Sequence, residues 1–244
     1  MVLSDRSRRT LMHASNVELE TLACKAAVGV GLPVGLAEDA GVAAAWLSMA
    51  GFDGADITCR AIENIRKSKA RPVIVSSQPT SFCPDTKGKL ASVIYAAPSV
   101  FDFLQTTSRI TVSHLDEPLL LFAHLVCSSA LREMEFSLRS VGSTGTVLQG
   151  VIQRGHGRLD RLPISNQEEK DGSEVTVTMV GLSEDPGFKL TKKEMELHRV
   201  AIQRGVVVSE AIWTKLQSLA ANTLVPESAT SKQRGAGAGM IDND

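Results

Sequence analysis

Residues 117–139 read EPLLLFAHLVCSSALREMEFSLR, and within them the hydrophobic period changes. Pro118 suits the first turn of a helix, with Asp116 as its cap, and the apolar run that follows predicts a helix over 117–134. From Glu135 onward the spacing is two: Phe136 and Leu138 alternate with Glu135, Ser137 and Arg139. Alternation of that kind is the mark of a strand with one covered face. A helix and a sheet therefore adjoin here, and the apolar helix is the natural cover for the sheet.

The same two periods sort the rest of the chain. Downstream, Thr146–Gln153 is a predicted strand. Leu162 and Ile164 alternate, and Val175, Val177 and Met179 face away from Thr176 and Thr178. Asp171-Gly172 has the form of a hairpin turn ahead of that last strand. Upstream, Ser15-x-x-Glu18 is a capping box, and Leu19, Leu22, Ala23, Ala26 and Val30 follow at helical spacing. A second helix is expected over 34–50, with Leu36, Ala40, Ala43, Ala44 and Leu47 inward, and a third over 55–69. Between Arg71 and Leu115 lie a short strand at Val73–Val75, a stretch at Val93–Tyr95 open between strand and helix, a short helix capped by Ser99, and a strand over 109–115. Thr191-x-x-Glu194 opens a later helix that Gly205 closes. Ser209 caps the last one, which ends at Pro226.

The expected fold class is α+β: a helical N-terminal unit, a mainly antiparallel sheet packed against an apolar helix, a C-terminal helix and a Gly-rich tail. Residues 1–14 are expected as a flexible lead-in, with Met12 a candidate start. Residues 15–226 form a single domain, with 15–70 a helical subdomain, and 227–244 are a flexible tail.

The chain has 244 residues, 43% hydrophobic, 22% charged and 4% aromatic, with a net charge of -1. Those values exclude a collagen, a disulfide-dense mini-protein and wholesale disorder. Near-neutral charge argues against nucleic acid as partner, because phosphate binding draws on excess Lys and Arg. No apolar run approaches the roughly 20 residues of a membrane-crossing helix. With no secretory leader visible, the protein is expected to be soluble and cytoplasmic. Cys24, Cys59, Cys83 and Cys127 show no C-x-x-C spacing and are expected to be reduced thiols.

Three segments carry a resemblance. The first is Lys25-Ala26-Ala27, Gly29-Val30-Gly31 and Gly35-Leu36-Ala37-Glu38-Asp39, running on to Trp46-Leu47. The second is Glu117-Pro118-Leu119-Leu120-Leu121. The third is Val225-Pro226-Glu227-Ser228, then Arg234-Gly235-Ala236-Gly237-Ala238-Gly239. Together they resemble a bacterial domain family of unknown function, a resemblance that implies no activity. Val28 departs from it, where a basic residue is expected.

Candidate ligand-binding residues are Lys25, Glu38, His114, Asp116, Arg234 and Asp242. Lys25 and Glu38 flank an α–α corner rich in alanine, and both also suit the helix dipole. His114 and Asp116 stand where a strand passes into a helix. Arg234 and Asp242 belong to the tail, whose backbone N–H groups would hold an anion if it folded over a site. Gly29-x-Gly31-x-x-x-Gly35 follows a helix rather than a strand, so it reads as that corner and not as a dinucleotide loop. Arg66, Lys67, Lys69 and Arg71 read as a solvated helix end, His124 as a core histidine, and Gly155-His156-Gly157 as a turn. No metal-ligand spacing, P-loop or nucleophile elbow is present, and the sequence names no cofactor.

Two function classes follow. One is an enzyme or binding protein for a small polar or anionic metabolite. The other is a non-catalytic accessory subunit of a metabolic complex, docking through its Ala-rich helices on a partner protein or a second copy.

Overall fold

A computed structural model of the chain describes residues 10–75, 80–130, 134–142, 147–153, 155–161, 172–180 and 191–223. Leu11–Ala14 are not a lead-in: they form strand β1, antiparallel to Val206–Ser209, with Met12 opposite Val208. Ser15 then starts the first helix. Its Oγ accepts the Glu18 N–H at 3.1 Å while the Glu18 carboxylate accepts the Ser15 N–H at 2.7 Å. Two N–H groups that an N-terminus leaves unpaired are thereby satisfied. Helix α1 spans Asn16–Gly29. Gly31 takes φ +90° beyond its end, so that the Leu32 N–H reaches the Ala27 carbonyl and the Gly31 N–H reaches that of Val28.

Helix α2, Val34–Met49, is the hub. Ala37, Ala40, Gly41, Ala43, Ala44, Ala45 and Leu47 are all buried, which is wider than one stripe. Short side chains allow this, because they let backbones approach on several sides. A Cβ on Gly41 would lie 2.6 Å from the Glu20 carbonyl of α1. Helix α3, Gly54–Arg66, meets α2 equally closely, with Gly54 against the Ala44 carbonyl.

Four short strands follow: β2 Ala70–Arg71, β3 Val73–Val75, β4 Ser81–Pro84 and β5 Leu90–Ala91. Val93–Leu104 is then a single helix, α4, running through Pro98. The expected break with a cap at Ser99 is wrong. The first turn of α4 is stabilised from outside its own sequence, as the candidate site shows. Strand β6, Arg109–Leu115, leads to α5, Pro118–Ser129, which ends five residues earlier than its apolar pattern suggested. Then come β7 Glu135–Gly142, β8 Val147–Gln153, β9 His156–Arg161, β10 Ser173–Val180, α6 Lys192–Arg204, β11 Val206–Ser209 and α7 Glu210–Ala220, with a short turn at Ala221–Thr223.

The main sheet runs β2-β5-β6-β10-β7-β8-β9, with β4 on β6 and β3 on β4. It is mixed: antiparallel from β6 through β9 and between β3 and β4, parallel where β2, β5, β4 and β6 meet. The fold class is thus α+β, with the antiparallel part as expected. Leu162, Ile164 and Asp171 lie outside the described residues; among the described strands β10 inserts between β6 and β7 and does not pair with β9. Ile110, Val112, Phe136, Leu138, Ile152, Val175 and Val177 form the covered face. Thr111, Arg139 and Gln149 lie on the other. Helix α5 lies against β7, β8 and β9 and is packed in turn on α2. Glycines make room for it: a Cβ on Gly150 would stand 2.5 Å from the Phe122 ring, and one on Gly157 would stand 2.6 Å from Val126 and 2.7 Å from Phe122. Among the described residues no helix is long and apolar enough to cross a membrane.

Candidate functional site

The strand-to-helix junction at 114–117 is organised around a carboxylate. His114 takes φ +57°, rare for a residue with a side chain. It sits where β6 carries one residue more than β10: Ser173 faces Leu115 while Val175 faces Val112. That bulge turns the His114 side chain outward, where it is exposed, and brings Asp116 inward. Asp116 Oδ1 accepts the Val93 N–H at 2.9 Å and the Glu117 N–H at 3.0 Å. Its Oδ2 accepts from the Asn64 amide at 3.4 Å. One carboxylate therefore serves the first turns of α4 and α5 together and ties α3 to both. Burial pushes its pKa up from 3.8 to about 7, helped by the Glu117 charge and opposed by the hydrogen bonds it accepts. Beside it, Arg60 makes a two-pronged contact with Glu117, at 2.7 and 3.0 Å, and also binds Asp56.

The other expected residues lie apart from this junction or outside the described residues. Lys25 on α1 and Glu38 on α2 are both exposed, and the charges of both reach Cys24, whose pKa burial and Glu38 raise against the pull of Lys25. Arg234 and Asp242, with the Gly-rich tail, lie outside the described residues. His124 is buried on α5, and burial holds its pKa down against the pull of Asp39 and Asp102. Burial also pushes the Cys127 thiol up to about 12, which suppresses the thiolate. Of the four candidates among the described residues, His114 and Asp116 stand together, as the sequence already joined them. Among the described residues no group of His, Cys, Asp and Glu is placed to hold a metal ion.

A cavity opens elsewhere, between the end of α2, α5, the start of β9 and α6. It encloses about 550 Å³, counting its mouth. Trp46 and Ala50 of the α2 end, Phe52 after it, Phe122, Leu159 and Leu197 provide apolar walls. Gly155, His156 and Gly157 form one rim, and His198 of α6 the opposite one. Trp46 and Phe122 meet edge to face, their centroids 5.9 Å apart. The rim at β9 is pinned. The Gly155 N–H donates to Ser129 Oγ at 2.9 Å, and that hydroxyl donates to the Val126 carbonyl at 2.8 Å. Gly155 needs its φ of +82° to make this turn. Helix α6 rests on Gly51, whose absent Cβ would lie 3.3 Å from Leu197. Among the described residues that line the cavity, the polar side-chain groups are the imidazoles of His156 and His198 and the indole N–H of Trp46.

Sequence reading missed these residues. His156 lay in what read as a bare turn, and His198 in a helix with no motif. The one usable signal was the pair of glycines flanking His156: in the structure Gly155 makes room for Ala130, and Gly157 lets the strand lie against Phe122 and Val126.

The fold is shared with dehydrogenases of small acids. The malate dehydrogenase from Pyrococcus horikoshii OT3 superposes with a TM-score of 0.59 at 10% identity, covering 93% of this chain and 100% of that one. A putative malate/lactate dehydrogenase from E. coli gives 0.57 at 8%, covering 88% and 96%. The sulfolactate dehydrogenase from Methanocaldococcus jannaschii gives 0.56 at 8%, covering 87% and 97%. At these identities the likeness is one of fold alone. In sequence, residues 14–89 match a family described as a protein of unknown function, DUF3726. The match takes in the first of the three resembling segments and stops short of the other two. No curated protein sequence matches the chain.

Proposed function

We propose that the chain binds or converts a small anionic metabolite in the cavity between α2, α5, α6 and β9. The observation that carries this reading is the cavity itself: His156, His198 and Trp46 bring polar groups to a recess whose other described side chains are apolar. A few polar groups in an apolar recess are the usual form of a small-molecule site. The fold supports the reading too, since it is found in dehydrogenases named for malate, lactate and sulfolactate, all small hydroxy acids.

The accessory-subunit reading has less support. It drew on the alanines of α1 and α2, but Ala23, Ala26, Ala27, Ala37, Ala43 and Ala44 are buried within the chain. The large hydrophobic side chains exposed on those helices are the scattered Val17, Val34 and Val42.

Thermal shift against a panel of small hydroxy and keto acids tests the proposal. A ligand at about a hundred times its Kd stabilises the native state by about 2.7 kcal/mol. The Leu197→Trp variant, which fills the cavity from its part-exposed wall, is expected to lose that stabilisation. Equal stabilisation of variant and parent would place the ligand elsewhere.

A further inference from the structure

Arg66, Lys67, Lys69 and Arg71, a helix end in the sequence, are joined in the structure by cations from elsewhere in the chain. Helix α7 brings Lys215, whose ammonium lies 3.7 Å from the Glu63 carboxylate. The turn between β4 and β5 brings Lys87 and Lys89. Ala70 pairs in parallel with Leu90, and the Leu90 N–H donates to the Lys69 carbonyl at 3.0 Å, so Lys69 and Lys89 stand at the heads of adjoining strands. All of these cations but Arg71 are exposed. We infer that this surface docks an extended acidic segment of a partner protein, with apolar residues between its acids.

Like charges on neighbouring strands repel, and Lys69, Lys87 and Lys89 have no ion pair among the described residues. The pairs that do form show which anion the surface accepts. Glu63 draws Arg66 at 2.7 Å, Lys67 at 2.6 Å and Lys215, and Asp85 draws Arg71 at 3.4 Å. Asp56 of α3 and the nearby Glu117 are both taken by Arg60. The cations are thus set out for carboxylates. A nucleic-acid backbone fits less well, because Glu63 and Asp85 would face its phosphates, and no aromatic side chain is among these residues for bases to stack on.

Strand β3 supplies the apolar part. It leaves the cluster beside Asp85, whose N–H donates to the Pro72 carbonyl at 2.9 Å. Ile74 and Val75 are consecutive, hence on opposite faces of the strand, and both are exposed. A peptide with apolar residues between its acids would cover them, and apolar contact within a polar rim is the make-up of a protein interface.

Fluorescence anisotropy on the full chain, at about 0.15 M salt, uses three labelled probes: a short peptide of alternating glutamate and leucine, its counterpart with lysine for glutamate, and a short DNA duplex. The acidic peptide is expected to bind at least about tenfold more tightly than the duplex, and the lysine peptide not at all. Lys69→Glu with Lys89→Glu should weaken the acidic peptide at least about tenfold and Ile74→Ser several-fold. Arg139→Glu, on the open face of the sheet, should change it less than about twofold. Circular dichroism checks folding, and Lys87→Glu, in the open turn at Gly88, replaces the lysine pair if that variant misfolds. The rival occupant is the chain's own Glu168, Glu169 and Asp171, outside the described residues, which precede Gly172 against Leu90. Glu168→Gln, Glu169→Gln and Asp171→Asn together should leave affinity unchanged; a tenfold rise would overturn the inference and assign the surface to that segment. No binding of the acidic peptide, duplex binding as tight, or binding insensitive to the lysine variants or to Ile74→Ser would overturn it as well, as would an equal loss with Arg139→Glu. None of these outcomes bears on the metabolite cavity, which the thermal-shift panel tests separately.

Discussion

The Asp116 junction and the cavity beside His198 are both places where polar groups meet apolar surroundings, and they differ in how much open space those groups border. Asp116 is saturated: two backbone N–H groups and an amide converge on it, and its strongly raised pKa comes from being sealed among them. The imidazoles of His156 and His198 line an open recess. A perturbed pKa is a reason to look for function, but here the most perturbed carboxylate is a cap shared by two helices. The open recess is therefore the place proposed as the site.

Substitutions can break that contrast. Phe122 belongs to the cavity wall and to the core between α5 and the sheet, so Phe122→Ala should cost about 3–5 kcal/mol in urea unfolding as well as remove the ligand response. Asp116→Ala leaves the Val93 and Glu117 N–H groups without their acceptor and should cost about 2–4 kcal/mol, with ligand affinity unchanged when measured below the unfolding transition. A large loss of affinity there would join the two regions into one site. Asp116→Asn sharpens the point through pH. The folded pKa lies above the unfolded one, so the contribution of Asp116 to stability is fully present below about 4 and is lost as pH rises to about 7. The asparagine variant should lose that slope in denaturation midpoints measured from pH 4 to 8.

Smaller effects test the packing. Gly157→Ala places a methyl against Val126 and Phe122 and should cost about 1–3 kcal/mol by overpacking. Paired with Phe122→Leu, the cost should be less than additive, because the smaller side chain vacates part of the space. Smallest of all is Glu63→Gln. Arg66, Lys67 and Lys215 surround Glu63, with the Arg66 hydrogen bond the main cause holding its pKa down, to about 2. Its stabilising effect is present above about 4.5 and fades toward about 2. All three cations are more than a third exposed, so the loss at neutral pH should stay under about 1 kcal/mol.

Local chemistry was legible wherever it is self-contained. The Ser15–Glu18 box places the start of α1, because its two hydrogen bonds span three residues, and the change of period at Glu135 places the sheet next to the helix that covers it. The Gly31 turn was legible for the same reason. The α4 start was not. Val93–Tyr95 reads equally as strand or helix, and what decides it is Asp116, twenty-three residues away, accepting the Val93 N–H. Helix α2 misled in another way: a stripe was expected, but alanine carries little information about which side is inward when most sides are.

The sequence by itself determined the fold class, the elements with short-range caps, and the inward face of the antiparallel strands, because those follow from spacing and from hydrogen bonds between near neighbours. Only the tertiary structure decided that β10 inserts between β6 and β7, that Asp116 faces inward as a shared cap, and that His156 and His198 border one space. Each of these depends on segments far apart in the chain meeting across a packed core, and no local pattern encodes that distance.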